Sequence, residues 1–121
     1  MTKETRNEMS IVHVVLIQWP SGVSPARVER ARVLAREFPD RIGGLSIVEG
    51  PSVSGEGLER GNDYGMVVTF RDRNALEHYL PHPVHQEFVR VLEEQPPAQV
   101  TVFDITGASS AAETPGSTPP G

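Results

Sequence analysis

Three of the chain's four histidines fall within eight residues, in the segment HYLPHPVH from His78 to His85. A free imidazole titrates near pH 6.5, so side chains of this type can take up and return protons close to neutrality. The cluster also invites a metal reading, since imidazoles three or four positions apart can share one helical face. Against it, Pro83 breaks the continuity between His82 and the preceding helix, no carboxylate stands at a companion spacing, and H-E-x-x-H is absent. The chemistry expected of this segment is therefore proton transfer, with no metal.

Position along the helices sharpens the choice among these rings. His85 precedes Phe88, Val89 and Leu92 by three, four and seven residues, which places it on their inward stripe. Tyr79 shares a stripe with Ala75 and Leu76, and His13 alternates with Val15 and Ile17 on a strand. A polar ring turned toward a core requires a partner, either a buried acceptor or a ligand. Tyr64 and Met66, facing these groups across a sheet, would complete a mostly apolar cavity with a few polar groups, the usual composition of a small-molecule site. A hydrogen-bonded His–Tyr core without a ligand satisfies the same pattern. His82, placed before a proline, is expected to cap or close the turn and to border the ligand, while His78 falls on the exposed side of its helix.

These side chains need a scaffold, and the hydrophobic pattern supplies one. Ile11 to Trp19 (IVHVVLIQW) is a strand, apolar on both faces. Ser24-Pro25 starts a helix as N-cap and first helical residue, and the helix is expected to end at Pro39-Asp40. Its inward stripe is Val28, Ala31, Leu34, Ala35 and Phe38, which leaves Arg27, Arg30, Arg32 and Arg36 as a solvated face. Gly44 to Glu49 and Tyr64 to Phe70 read as the second and third strands, joined by a long Gly- and Ser-containing connection. Asp72 caps a helix that Pro81 stops, a second short helix runs from Val84 to about Glu94, and Gln99 to Ile105 closes the series as a strand.

The order β-α-β-β-α-β predicts an α+β, ferredoxin-like fold, with a four-stranded antiparallel sheet and its helices on one face. Helices on one side leave the other side of the first and last strands uncovered, so a second copy of the sheet is the expected cover. The prediction is an isologous homodimer forming a dimeric α/β-barrel.

Residues 10–106 are expected to form one domain, preceded by a flexible leader, 1–9, and followed by a disordered Pro/Ser/Gly/Thr-rich tail, 107–121. Sixteen acidic against eleven basic residues give a net charge of −5, without the basic footprint of a nucleic-acid binder. No cysteine is present, which excludes disulfides, thiol catalysis and Cys-ligated metals. The longest apolar run is far short of a membrane span, and a cytoplasmic protein is expected.

Several of these segments together carry a family likeness. The strand IVHVVLIQW with His13, the link GPSVSGEG, the VVTF strand ending at Phe70, the box Tyr79-x-x-His82-Pro83-x-His85 and the closing VTVFDI resemble the stress-responsive α/β-barrel (Dabb) family over nearly the whole folded part. The resemblance extends to a plant polyketide cyclase of that family, which closes a ring by an intramolecular aldol step without metal or organic cofactor. It implies His85 as the catalytic base, Tyr79 as its hydrogen-bonding partner and His13 as the strand histidine of the site. Where that cyclase has a further pocket histidine and a valine, this chain has Tyr64 and Met66. The expected ligand is small, hydrophobic or polyketide-like. The functions implied are a cofactor-free cyclase of the lyase/isomerase class, a noncatalytic stress-related binding protein using the same cleft, or a cofactor-independent monooxygenase.

Overall fold

The computed structural model describes residues 9–106; the expected leader up to residue 8 and the tail 107–121 lie outside the described residues. The chain runs β1 (Ile11–Gln18), α1 (Pro25–Arg41), β2 (Leu45–Pro51), β3 (Tyr64–Phe70), α2 (Arg73–Tyr79), α3 (Pro83–Glu93) and β4 (Gln99–Thr106). The four strands form one antiparallel sheet in the order β2-β3-β1-β4, the ferredoxin-like arrangement, with α2 and α3 standing as a broken second helix. Among the described residues no helix is long and apolar enough to cross a membrane.

Alternation along the strands separates two faces. The helix-facing side carries Ile11, His13, Val15 and Ile17 of β1, paired in register with Phe70, Val68, Met66 and Tyr64 of β3. All of these are buried, and with Phe38 of α1, Tyr79 of α2 and Phe88 of α3 they form the core. The opposite face carries Val14, Val67, Val48 and Phe103 in one cross-strand row. There Val48 is 74% and Phe103 64% exposed, so within a single chain this apolar face has no cover. β4 lies at the sheet edge and is exposed on both faces.

Two helical expectations are corrected. α1 does not stop at Pro39 but continues to Arg41. Proline withholds only its own N–H, and in the last turn the amides of Ile42 and Gly43 still reach the Phe38 carbonyl at 2.8 and 3.3 Å. The larger correction is Arg27, expected on the solvated face and found 5% exposed. Its guanidinium donates to the carbonyls of Val91 (3.0 Å), Leu92 (3.0 Å), Glu94 (2.8 Å) and Pro96 (2.7 Å). The end of a helix leaves carbonyls without intrahelical donors, and here an arginine from a neighbouring helix supplies them. The remaining arginines of that face are paired: Arg30 forks onto Glu94, Arg32 onto Glu49, and Arg36 reaches Glu49 and Glu29.

Capping follows the sequence more closely. The Ser24 hydroxyl accepts from the Arg27 amide, Asp72 from Ala75, and the His82 ring from Val84. On α3 Val84, Phe88, Val91 and Leu92 are buried, and the expected stripe of His85, Phe88, Val89 and Leu92 faces the sheet across a cleft, with Val89 half-buried.

Candidate functional site

A cleft of about 300 Å³ opens between the helix-facing side of β1 and β4 and the inner flank of α2 and α3. His13 enters it from β1, Asp104 from β4, Tyr79 from the end of α2 and His85 from the first turn of α3. Met66, Val89, Val100 and Val102 contribute apolar wall. The break between α2 and α3 is what brings the last two polar groups together. Leu80 caps α2, Pro83 begins α3, and the turn stacks the Tyr79 and His85 rings with centroids 4.2 Å apart.

His85 is held in a defined protonation pattern. Its Nδ1 donates to the Leu80 carbonyl at 2.9 Å, which leaves the Nε2 lone pair to accept a proton. Burial holds the imidazole below its ordinary pKa; the Leu80 carbonyl opposes this, and the neighbouring His13 and His82 reinforce it. The ring is therefore neutral, and a base, at neutral pH.

Tyr79 is 1% exposed and packs edge-on against Phe70 and Phe38, with ring centroids 4.8 and 5.4 Å away. Burial, and then the negative charge of Asp104, push its phenol above the usual tyrosine range, so the hydroxyl stays protonated and can donate. His13 is 6% exposed, lies edge-on to Tyr79, and its Nδ1 donates to Asp104 Oδ1 at 2.5 Å. A carboxylate in this position orients the imidazole and turns Nε2 away from the pair. In antiparallel register Asp104 stands directly opposite His13.

Of the six residues read from the sequence, His13, Tyr79, His85 and Met66 converge on this cleft. Tyr64 and His82 do not line it. Tyr64 sits toward the other end of the sheet face, where its hydroxyl donates to Glu49 at 2.8 Å and Arg32 lies over its ring. Glu49 is in turn held below the usual carboxylate range, burial being outweighed by Arg32, Tyr64 and Arg36. His82 spends its Nδ1 lone pair on the Val84 amide at 3.1 Å and faces His78 rather than the cleft. Among the described residues no three His, Asp or Glu side chains are grouped as a metal site.

Asp104 is the site residue that the sequence reading missed. It had a signal: it is the only acid in the apolar strand QVTVFDIT and alternates with Val100 and Val102.

Residues 11–106 match the model of the family named Stress responsive A/B Barrel Domain, Dabb. The stress-response A/B barrel domain-containing protein HS1 of Arabidopsis thaliana is 28% identical over 85 residues, covering 67% of this chain and 75% of that protein. A dimeric ferredoxin-like protein of unknown function from Jannaschia sp. CCS1 superposes with a TM-score of 0.70 at 23% identity, covering 79% of this chain and 97% of that one. A hydroxynitrile lyase from Passiflora edulis shares the fold with a TM-score of 0.73 at 14% identity, covering 87% of this chain and 99% of that one.

Proposed function

Since this chain belongs to the stress-responsive A/B barrel (Dabb) family, whose fold serves a lyase as well as dimeric proteins of unknown function, we propose that its cleft is a cofactor-free acid–base site for an enolisable small molecule. Polyketide cyclase-like ring closure is the reaction it suits best. The observation that carries this reading is the fixed His85, with Nδ1 committed to Leu80 and Nε2 left as a neutral base beside a protonated phenol.

A carbon flanked by two carbonyls is acidic enough for imidazole to deprotonate. His85 Nε2 takes the C–H proton, and the electron pair is delocalised onto the enolate oxygen, to which the Tyr79 hydroxyl donates. The enolate carbon then bonds to a second carbonyl carbon of the same chain, and protonated His85 returns the proton to the resulting alkoxide. His13, held by Asp104, provides a further polar contact at the same end of the cleft. The apolar walls hold the chain folded, which converts a search in solution into a positioned encounter.

The working unit of this reading is a homodimer. The uncovered row Val48, Val67, Val14 and Phe103 is self-complementary across a twofold axis and would close two sheets into a barrel.

The test is ring closure of a synthetic linear β-polyketone with a short alkyl tail, followed by chromatography against the uncatalysed background. Wild-type protein accelerates closure, and His85→Ala loses about 10²–10⁴-fold of that rate while remaining folded. A wild-type rate equal to background, or a fully active His85→Ala, refutes the assignment.

A further inference from the structure

Gly50 and Gly65 stand opposite each other on β2 and β3, on the sheet face turned away from the helices. Glycine inside a strand costs conformational entropy and packs nothing, and it often marks a place where something approaches the backbone closely. The chain's own conformation does not demand it here. Neither residue has the positive φ found at Gly22, Gly43, Gly44, Gly57 and Gly61. An added Cβ would meet no described atom within 4 Å at Gly50, and none nearer than 3.5 Å at Gly65. What the pair does is leave a hollow of about 280 Å³, bordered by Val14, Leu16, Val48 and Val67.

The same face carries a matching knob. Phe103, on β4 at the edge of the sheet away from Gly50, ends the row Val48-Val67-Val14-Phe103 and is largely exposed. The flanking rows are Ser46-Thr69-Val12-Ile105 and Gly50-Gly65-Leu16-Thr101, so no ionisable side chain interrupts these three rows. A surface of this composition suits the dry centre of an interface.

Two copies of the sheet can face each other about a twofold axis lying in the plane between them. An axis running across the strands would set each strand over itself. Phe103 would then meet the partner's Phe103, and each hollow would face the partner's Ser46 and Thr69 and stay empty. An axis running along the strands, between β3 and β1, sets β4 of one copy over β2 of the other. Phe103 then comes down beside the partner's hollow, and the symmetry repeats the contact. Facing sheets interdigitate their side chains, and a cavity left between them costs stability.

We infer that this chain pairs with a second copy about the axis along the strands, each Phe103 filling the hollow over Gly50 and Gly65 of the other copy. This rests on the homodimer proposed above and adds its register, and it makes no use of the cleft, which lies on the other side of the sheet.

The experiment exchanges large for small across the contact. Sedimentation equilibrium of the full-length chain gives dimer dissociation constants for wild type, Gly50→Leu, Phe103→Ala and the double variant, with circular dichroism to confirm folding. Each single substitution is expected to weaken pairing by about tenfold or more, one by overfilling the hollow and the other by emptying it. The double variant is expected to pair about tenfold more tightly than the product of the two single losses. A wild-type dimer with one copy isotope-labelled should show nuclear Overhauser contacts from the Phe103 ring to the Hα protons of Gly50 and Gly65 in the other copy, a measurement that needs no variant to fold. Single variants that pair as wild type, a double variant no tighter than that product, or ring contacts to the partner's Phe103 instead each overturn the register while the homodimer stands. A monomeric wild type overturns both, and none of these outcomes bears on the acid–base chemistry of the cleft.

Discussion

Replacing Arg27 is expected to unfold more of this protein than any equally small change on the outer side of α1. The guanidinium makes four hydrogen bonds to backbone carbonyls, and those of Val91 and Leu92 are buried while those of Glu94 and Pro96 are partly open. Hydrogen bonds from a charged group contribute about 1.5–3 kcal/mol each, but the simple sum overcounts because they share one donor group. In Arg27→Ala, water can reach the two outer carbonyls, so the loss is dominated by the two buried ones at about 1–3 kcal/mol each. The aliphatic stem and the stacking over Trp19, 5.6 Å from guanidinium carbon to ring centroid, are lost as well. Glu94 adds little, being exposed and 3.8 Å away. The expected destabilisation is about 3–5 kcal/mol, with Arg27→Lys recovering under half because an ammonium cannot span four acceptors. The consequence reaches the cleft, since the same carbonyls anchor α3, whose first turn carries His85, and the turn into β4, which carries Asp104. Urea unfolding at fixed protein concentration, read by far-ultraviolet circular dichroism, measures it. A loss below about 1 kcal/mol for Arg27→Ala would refute the helix-end clamp as a stabilising element.

Other expectations follow from the same geometry. Because folding lowers the His85 pKa, the unfolded chain binds its proton more readily. The stability linked to this group is thus complete above its ordinary value of about 6.5 and is lost as the pH falls from there toward the lowered one. Unfolding free energies across that window should show a slope that His85→Gln flattens, and an unchanged slope would mean the ring is not held neutral by the fold. Tyr79→Phe keeps the packed ring and removes the donor, so ring closure should slow by about 10²-fold with little change in melting temperature. A fully active variant would exclude the hydroxyl from the reaction. Val67→Asp, at the centre of the uncovered face, should halve the mass measured by light scattering, and an unchanged mass would place the dimer contact elsewhere. Gly44→Ala should cost about 1–3 kcal/mol, because φ is +78° and an added Cβ would lie 3.1 Å from the Ala75 Cβ. Retained stability in thermal melts would show that the α2 contact yields.

The sequence by itself determined the order of elements, the caps at Ser24, Asp72 and His82, and the inward stripes that bring His85, Tyr79 and His13 to one face. These follow from local rules: alternation in strands, helical spacing and the chemistry of the first turn. Tertiary structure alone decided which partners the polar groups found. Asp104 meets His13 only because β4 pairs beside β1 in one register, and no local pattern encodes a contact 91 residues apart. Arg27 looks like a surface residue from the charge pattern of α1, and its burial comes from where the end of α3 arrives. Tyr64 alternates correctly with Met66 yet is claimed by Glu49, because position along a strand matters as much as the face. A periodic pattern fixes which way a side chain points, and the packing of distant segments fixes what it meets there.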